Sequence, residues 1–259
     1  LEPSYGQINY YSPVLLALAR FYRSPLYQHP ALWDLTAGSV QQSRYVTDNG
    51  EWMLFDWGGY CYAWYDPSVP ARTDPSAPLS FCFPSVDEAY LRASFEPGGL
   101  VAGMRRGAVV VHAGGRPVFV DHREADCPPA LASDVALRDS GREAALSCRG
   151  AAAAPSTAQA LRLVRPGRLV LSRDTTAEQA WWCFGRPTRD GAALRWDDGT
   201  VLEVTEGTIV ALDAAGYHDE KVVGMGLLRL KDPLPMTYPL VRARPQAGRL
   251  VLEIRAPGG

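Results

Sequence analysis

The densest run of side chains able to move protons or hold an anion lies in SYGQINYY, residues 4–11. Tyr5, Tyr10 and Tyr11 bring phenols, while Gln7 and Asn9 bring amides. A phenol serves as acid or base near neutral pH only when a neighbouring cation lowers its pKa from about 10. An amide N–H can bind an oxyanion without carrying charge itself. Tyrosines that flank a helix start are equally suited to packing. His112, in AVVVHAGGR, is the imidazole best suited to act as a base or a clamp. A lone histidine on a strand more often meets a structural need. Trp52, Trp57, Tyr60, Tyr62, Trp64 and Tyr65 form an aromatic stretch, a stacking platform if exposed and core if buried.

Other chemistries find less support. All but two of the 26 basic residues are arginine, the exceptions being Lys221 and Lys231. Arginine forks match carboxylates and sulfates when several meet in one cleft. The net charge of −2 confines any polyanion site to a local patch and gives no support to nucleic-acid binding. Cys61, Cys82, Cys127, Cys148 and Cys183 form no CxxC, and His29, His112, His122 and His218 form no HExxH. A sequence-local zinc cage is therefore not expected. The PGG and GGR elements lack the strand-to-helix context of a phosphate loop, so nucleotide binding is discarded. Asp197-Asp198 reads as turn chemistry, and Glu51 and Asp56 are the only acids in the aromatic stretch. No stretch of about 18 apolar residues spans a membrane.

The elements that must position these residues change character along the chain. Ser12 and Pro13 open a helix over 11–22, with Val14, Leu15, Leu18, Ala19 and Tyr22 at helical spacing. Further helices are expected over 30–43 and 51–65, which makes residues 1–70 an α-helical segment. Residues 71–86 are proline-rich and read as a linker draped over a surface. From 87 to 259 the period shifts towards two. Runs at 90–95, 100–104, 108–112 and 117–121 are separated by glycine turns. Pro166-Gly167 marks a hairpin, Asp198-Gly199 a tight turn, and 150–159 an exposed loop. Trp181 and Trp182 alternate faces on one strand. The fold class that follows is α+β multidomain: a helical segment, then a large antiparallel β-sandwich.

Several segments resemble heparinase II/III-like polysaccharide lyases. SYGQINYYSPVLLALARFYRSPLY is similar to the late helices of that family's α/α toroid, and VDEAYLRASFEPGGLVAGMRRGAVVVHAGGRPVFVD to the opening strands of its β-sandwich. VALRDSGREAALSC resembles the strands that follow. Where the family carries a GHGHxD or NHxHxD pair of histidines, this chain has His112 followed by Ala113-Gly114-Gly115, with Asp121 and His122 downstream.

The resemblance implies β-elimination at a uronic acid of an acidic polysaccharide. The C5 proton is barely acidic, so the carboxylate must be neutralised, a base must take the proton and an acid must protonate the leaving oxygen. On this reading Tyr10 or Tyr11 with His112 form the catalytic set. Asn9 or Gln7 neutralises the carboxylate, and Tyr5, Arg44 and Trp57 contact substrate. No cofactor is implied, and an accessory divalent metal is left open. The resemblance further implies a secreted or periplasmic bacterial enzyme. The opening at Leu1 is expected to mark the tail of a larger toroid, held upstream in the same protein or in a separate chain. The alternative is a non-catalytic carbohydrate-binding or scaffold sandwich.

Overall fold

In a computed structural model of the 259-residue chain, the residues described are 11–33, 62–72, 77–86, 88–96, 98–105, 107–121, 133–149, 158–216 and 237–258. Two compact units result, one running from Pro78 to Tyr217 and again from Met236 to Gly259, the other containing the helices.

The helical unit holds α1 (Tyr11–Tyr22) and α2 (Pro25–Trp33). α1 follows the expected bounds. α2 begins five residues before the expected start at Pro30, because Ser24 and Pro25 already form a cap. The Ser24 hydroxyl accepts the Leu26 amide at 3.3 Å, and proline at the first helical position needs no partner. Arg23 takes the left-handed conformation (φ 54°) that ends α1, and the Ser24 amide returns to the Ala19 carbonyl. Leu16 and Ala31 are fully buried, with Leu15, Leu32 and Trp64 packed against them. Gln28, also buried, donates to the carbonyls of Asp66 and Val69 at 2.8 and 2.6 Å and ties residues 66–69 to α2. The remainder of the helices expected over 30–43 and 51–65 falls outside the described residues, apart from a helical stretch at 62–64.

The second unit is a double-sheet sandwich. Five strands form a meander: β1 (Ser80–Phe83), β2 (Glu88–Arg92), β3 (Val101–Arg105), β4 (Ala108–Ala113) and β5 (Arg116–Asp121). The chain then enters the other sheet with β6 (Ser133–Asp139), β7 (Glu143–Arg149), β8 (Ala158–Val164) and β9 (Arg168–Asp174). β10 (Gln179–Trp182) returns to the first sheet. β11 (Thr188–Asp190), β12 (Ala193–Arg195) and β13 (Val201–Glu206) join the second. β14 (Thr208–Gly216) and β15 (Thr237–Arg244) complete the first, and β16 (Arg249–Arg255) the second. The orders are β1-β2-β3-β4-β5-β10-β15-β14 and β11-β12-β13-β16-β9-β8-β7-β6. The observed pairings are antiparallel, as the sequence rhythm requires.

Alternation explains both sheets. In β2 Ala89 and Leu91 face the core, and in β9 Leu169 and Leu171 do, giving one shared cluster of buried side chains with Phe119 and Trp181 at its centre. Two boundaries differ from expectation. β1 forms inside the stretch read as linker, because Pro78 and Pro84 fall just outside SFCF and leave its amides free for the ladder to β2. The expected loop over 150–159 gives way to β8 from Ala158, because Gln159 is drawn into the core, where it is 7% exposed.

Candidate functional site

His112 is the one expected catalytic residue whose side chain is described. It lies near the end of β4, where Val109, Val111 and Ala113 point inward, so its ring stands on the outer face of the first sheet. A β-bulge between Val111 and His112 re-aims the strand just before the Gly114-Gly115 turn. Both glycines have positive φ (59° and 77°), and the Gly114 amide bonds the Gly98 carbonyl at 3.1 Å. Burial pushes the His112 imidazole down to about 4, so it is neutral at neutral pH.

Register places the neighbours. Arg92 pairs with Val101, and Val101 with His112, so the three form one row across β2, β3 and β4 on the outer face. Adjacent strands lie about 4.8 Å apart, which separates the Arg92 and His112 backbones by roughly 10 Å. The Arg92 guanidinium sits 5.8 Å from the centroid of the Phe95 ring. Beside this row, Phe81 packs against Tyr90 at 5.3 Å and Phe83 at 5.4 Å, and the Tyr90 ring lies across Gly103. Phe83 is half exposed.

Three arginine clusters hold the sandwich around this face. Arg173 of β9 crosses the core to Asp121 of β5, and its Nε donates to Gln159 at 2.6 Å. Gln159 in turn donates to the Gly107 carbonyl at 3.1 Å. Arg165, after β8, donates to the Arg92 carbonyl at 3.0 Å, to Ser80 at 2.9 Å and to Asp139 at 2.7 and 2.8 Å. It thereby ties the carbonyl side of the Arg92 row to the opposite sheet. Arg116, after the glycine turn, pairs with Asp198 at 2.6 Å and lies 6.0 Å from the Trp196 ring. Asp198 also accepts the Thr200 amide at 2.9 Å, consistent with its expected place in a turn.

Tyr5, Gln7, Asn9, Tyr10, Arg44 and Trp57 lie outside the described residues, as do Trp52, Tyr60, Glu51 and Asp56. Tyr11 opens α1, with its side chain not described. Trp64 packs into the helical core, whereas Tyr62 is 87% exposed and Tyr65 42%. Trp181 is fully buried and Trp182 half-buried, the alternation expected. Among the described residues no three His, Cys, Asp or Glu side chains cluster to hold a metal. Asp121, downstream of His112, is engaged by Arg173 and by the Val109 amide at 2.6 Å, which does not fit an available metal ligand. Arg92 escaped the sequence reading. Its position in YLRASF marks an outward strand residue, but nothing local shows what its charge faces.

No protein-family model and no curated protein matches the chain. Solved structures do. The crystal structure of heparan sulfate lyase HepC from Pedobacter heparinus is similar at TM-score 0.52 and 9% identity, over 86% of this chain and 41% of that one. A mutant of the same lyase matches at TM-score 0.52 and 9% identity, over 84% and 42%. The likeness is one of fold. The chain has a heparinase-type, polysaccharide-lyase-like fold, as the segment resemblance implied, and it spans about 41% of the length of that lyase.

Proposed function

We propose that the chain forms part of a polysaccharide lyase that cleaves a uronate-containing glycan by β-elimination. The observation that carries this reading is the heparinase-type double sheet with an imidazole on its outer face, at His112. In the reaction a base takes the C5 proton and the freed electron pair forms the C4=C5 double bond. The C4–O glycosidic bond breaks, and the departing oxygen takes a proton from an acid. Tyr10 or Tyr11 moves these protons, and Asn9 or Gln7 hydrogen-bonds the uronate carboxylate. His112 is neutral above about pH 4, so in its resting form it accepts a hydrogen bond without contributing charge, and as a base it would become a cation on taking the proton. Arg44, Trp57 and Tyr5 orient the sugar. The complete enzyme includes an upstream toroid, in the same protein or a separate chain, and acts outside the cytoplasm.

The test is a lyase assay of the complete protein on a panel of uronate glycans, following the ultraviolet absorbance of the unsaturated product. Loss of that product in Tyr10→Phe or in Tyr11→Phe supports the assignment. Wild-type rates in both variants remove it.

The low basicity of His112 favours a second reading, a non-catalytic carbohydrate-binding sandwich. Glycan binding by the complete protein without any product separates the two.

A further inference from the structure

Five arginines among the described residues are buried or half-buried: Arg92, Arg116, Arg165, Arg173 and Arg255. Four are matched by a carboxylate: Arg116 with Asp198, Arg165 with Asp139, Arg173 with Asp121 and Arg255 with Glu203. Among the described residues no carboxylate pairs Arg92. Its Nε is buried without a hydrogen-bond partner, and burial lowers its pKa from the ordinary arginine range. A guanidinium stays charged in a folded protein, so burial penalises this group; the Tyr90 phenol and the Phe95 ring offset that penalty only in part, and no carboxylate among the described residues does. An incoming anion would offset it. Phe95 lies against the guanidinium, and the row continues through Val101 to His112. The positive charge therefore sits on an outward sheet face beside a neutral imidazole and the aromatic group of Phe81, Phe83 and Tyr90.

We propose that Arg92 is the anion-recognition residue of this face, holding a carboxylate or sulfate of an acidic sugar while the sugar ring lies along the row towards His112. The sugar assignment rests on the polysaccharide reading above, and the anion assignment does not. Arginine suits this task because its planar fork meets two oxygens of a carboxylate or sulfate at once. The aliphatic stem and Val101 offer the apolar floor that a ring face needs.

Two arms test it on the 259-residue chain. In the first, inorganic sulfate and acetate are titrated against wild type, Arg92→Gln and Arg92→Lys, following backbone amide shifts by NMR. Wild type is expected to show saturable shifts centred on residues 90–95 and 101–112. Arg92→Gln should weaken them by about tenfold or more, and Arg92→Lys by less, because a charged hydrogen bond is lost or made monodentate. Equal affinity in wild type and Arg92→Gln overturns the proposal. So does the absence of saturable shifts in wild type. If Arg92→Gln does not fold, the Arg92→Lys comparison decides, and unchanged affinity there overturns it.

In the second arm, a heparan sulfate oligosaccharide and a neutral cello-oligosaccharide are compared by calorimetry and, with the complete protein, by the lyase assay. Arg92→Gln is expected to raise KM for the acidic glycan with a smaller change in kcat, and to leave binding of the neutral sugar unchanged. Arg92-dependent anion binding with no lyase product sustains this inference and removes the lyase reading. Lyase product with an unaltered KM in Arg92→Gln does the reverse.

Discussion

Arg173 of one sheet and Asp121 of the other close a two-pronged ion pair inside the sandwich, with contacts of 2.6 and 2.5 Å and side chains only 7% and 5% exposed. Both stand in lanes otherwise filled by aliphatic and aromatic side chains. Arg173 follows Leu169 and Leu171 on the inward side of β9, and its guanidinium lies 5.6 Å from the Phe119 ring. Asp121 also holds the Val109 amide, so a single carboxylate satisfies both a buried cation and a strand amide. Each group is tolerable in the core because the other is present.

Breaking this pair from one side is expected to be severe. Asp121→Asn removes the charge that matches Arg173 and should destabilise the sandwich by about 3–5 kcal/mol. The double variant Asp121→Leu with Arg173→Met should lose markedly less, because no isolated charge is left behind. Urea denaturation of the three proteins measures this, and a double variant less stable than Asp121→Asn would contradict it.

The two glycines of the β4–β5 turn should respond differently to alanine. A Cβ at Gly114 would lie 2.0 Å from Asp198 Oδ2, so the carboxylate paired with Arg116 must shift, and φ is +59°. A Cβ at Gly115 meets nothing within 4 Å, although φ is +77°. Gly115→Ala is then expected to cost about 1 kcal/mol from backbone strain alone, and Gly114→Ala roughly twice that or more. Thermal unfolding compares the two, and equal melting temperatures would mean that Asp198 yields freely.

His112 ties stability to pH. Its pKa falls from 6.5 unfolded to about 4 folded, so between those values the unfolded chain binds a proton that the folded chain refuses. The stability it lends is complete above about pH 6.5 and is lost as pH falls towards 4. His112→Gln should remove up to about 3 kcal/mol of the difference between pH 7 and pH 4. If His112 also acts as a base, kcat/KM should show an acid limb near pH 4 rather than near 6.5, and a limb near 6.5 argues against that role.

Asp139 governs a lower window. Hydrogen bonds from Arg165 hold its carboxyl down to about 2, against 3.8 unperturbed, outweighing the opposing effect of burial. Its stabilising effect is present above about pH 4 and disappears as pH drops towards 2. Asp139→Asn should flatten the urea midpoint between pH 4 and pH 2 relative to wild type. An unchanged slope there would show that Arg165 contributes nothing through this carboxylate.

Much of the fold was legible because strands and turns announce themselves locally. Alternating VLEV, RLVLEI and RLVLSR can bury only one face, and glycines at the β4–β5 turn and beside Asp198 supply the conformations that hairpins demand. α1 was equally legible from Ser12, Pro13 and its helical spacing. The start of α2 was misplaced because Ser24-Pro25 and Pro30 are both plausible openings, and only the former has a hydroxyl at hydrogen-bonding distance from an amide. β1 was hidden by its flanking prolines, whose effect depends on whether they fall inside or beside the ladder. Of the site, residue type and spacing show which groups have the chemistry: the tyrosines and amides of residues 5–11, the imidazole of His112, and an abundance of arginine. Which arginine is spent and which is available was decided by tertiary structure alone. Arg173 and Asp121 lie 52 positions apart, Arg165 and Ser80 lie 85 apart, and Arg92 lies two strands from His112. Charge pairing is a property of distance in space, and sheet packing sets that distance between residues that no local pattern connects.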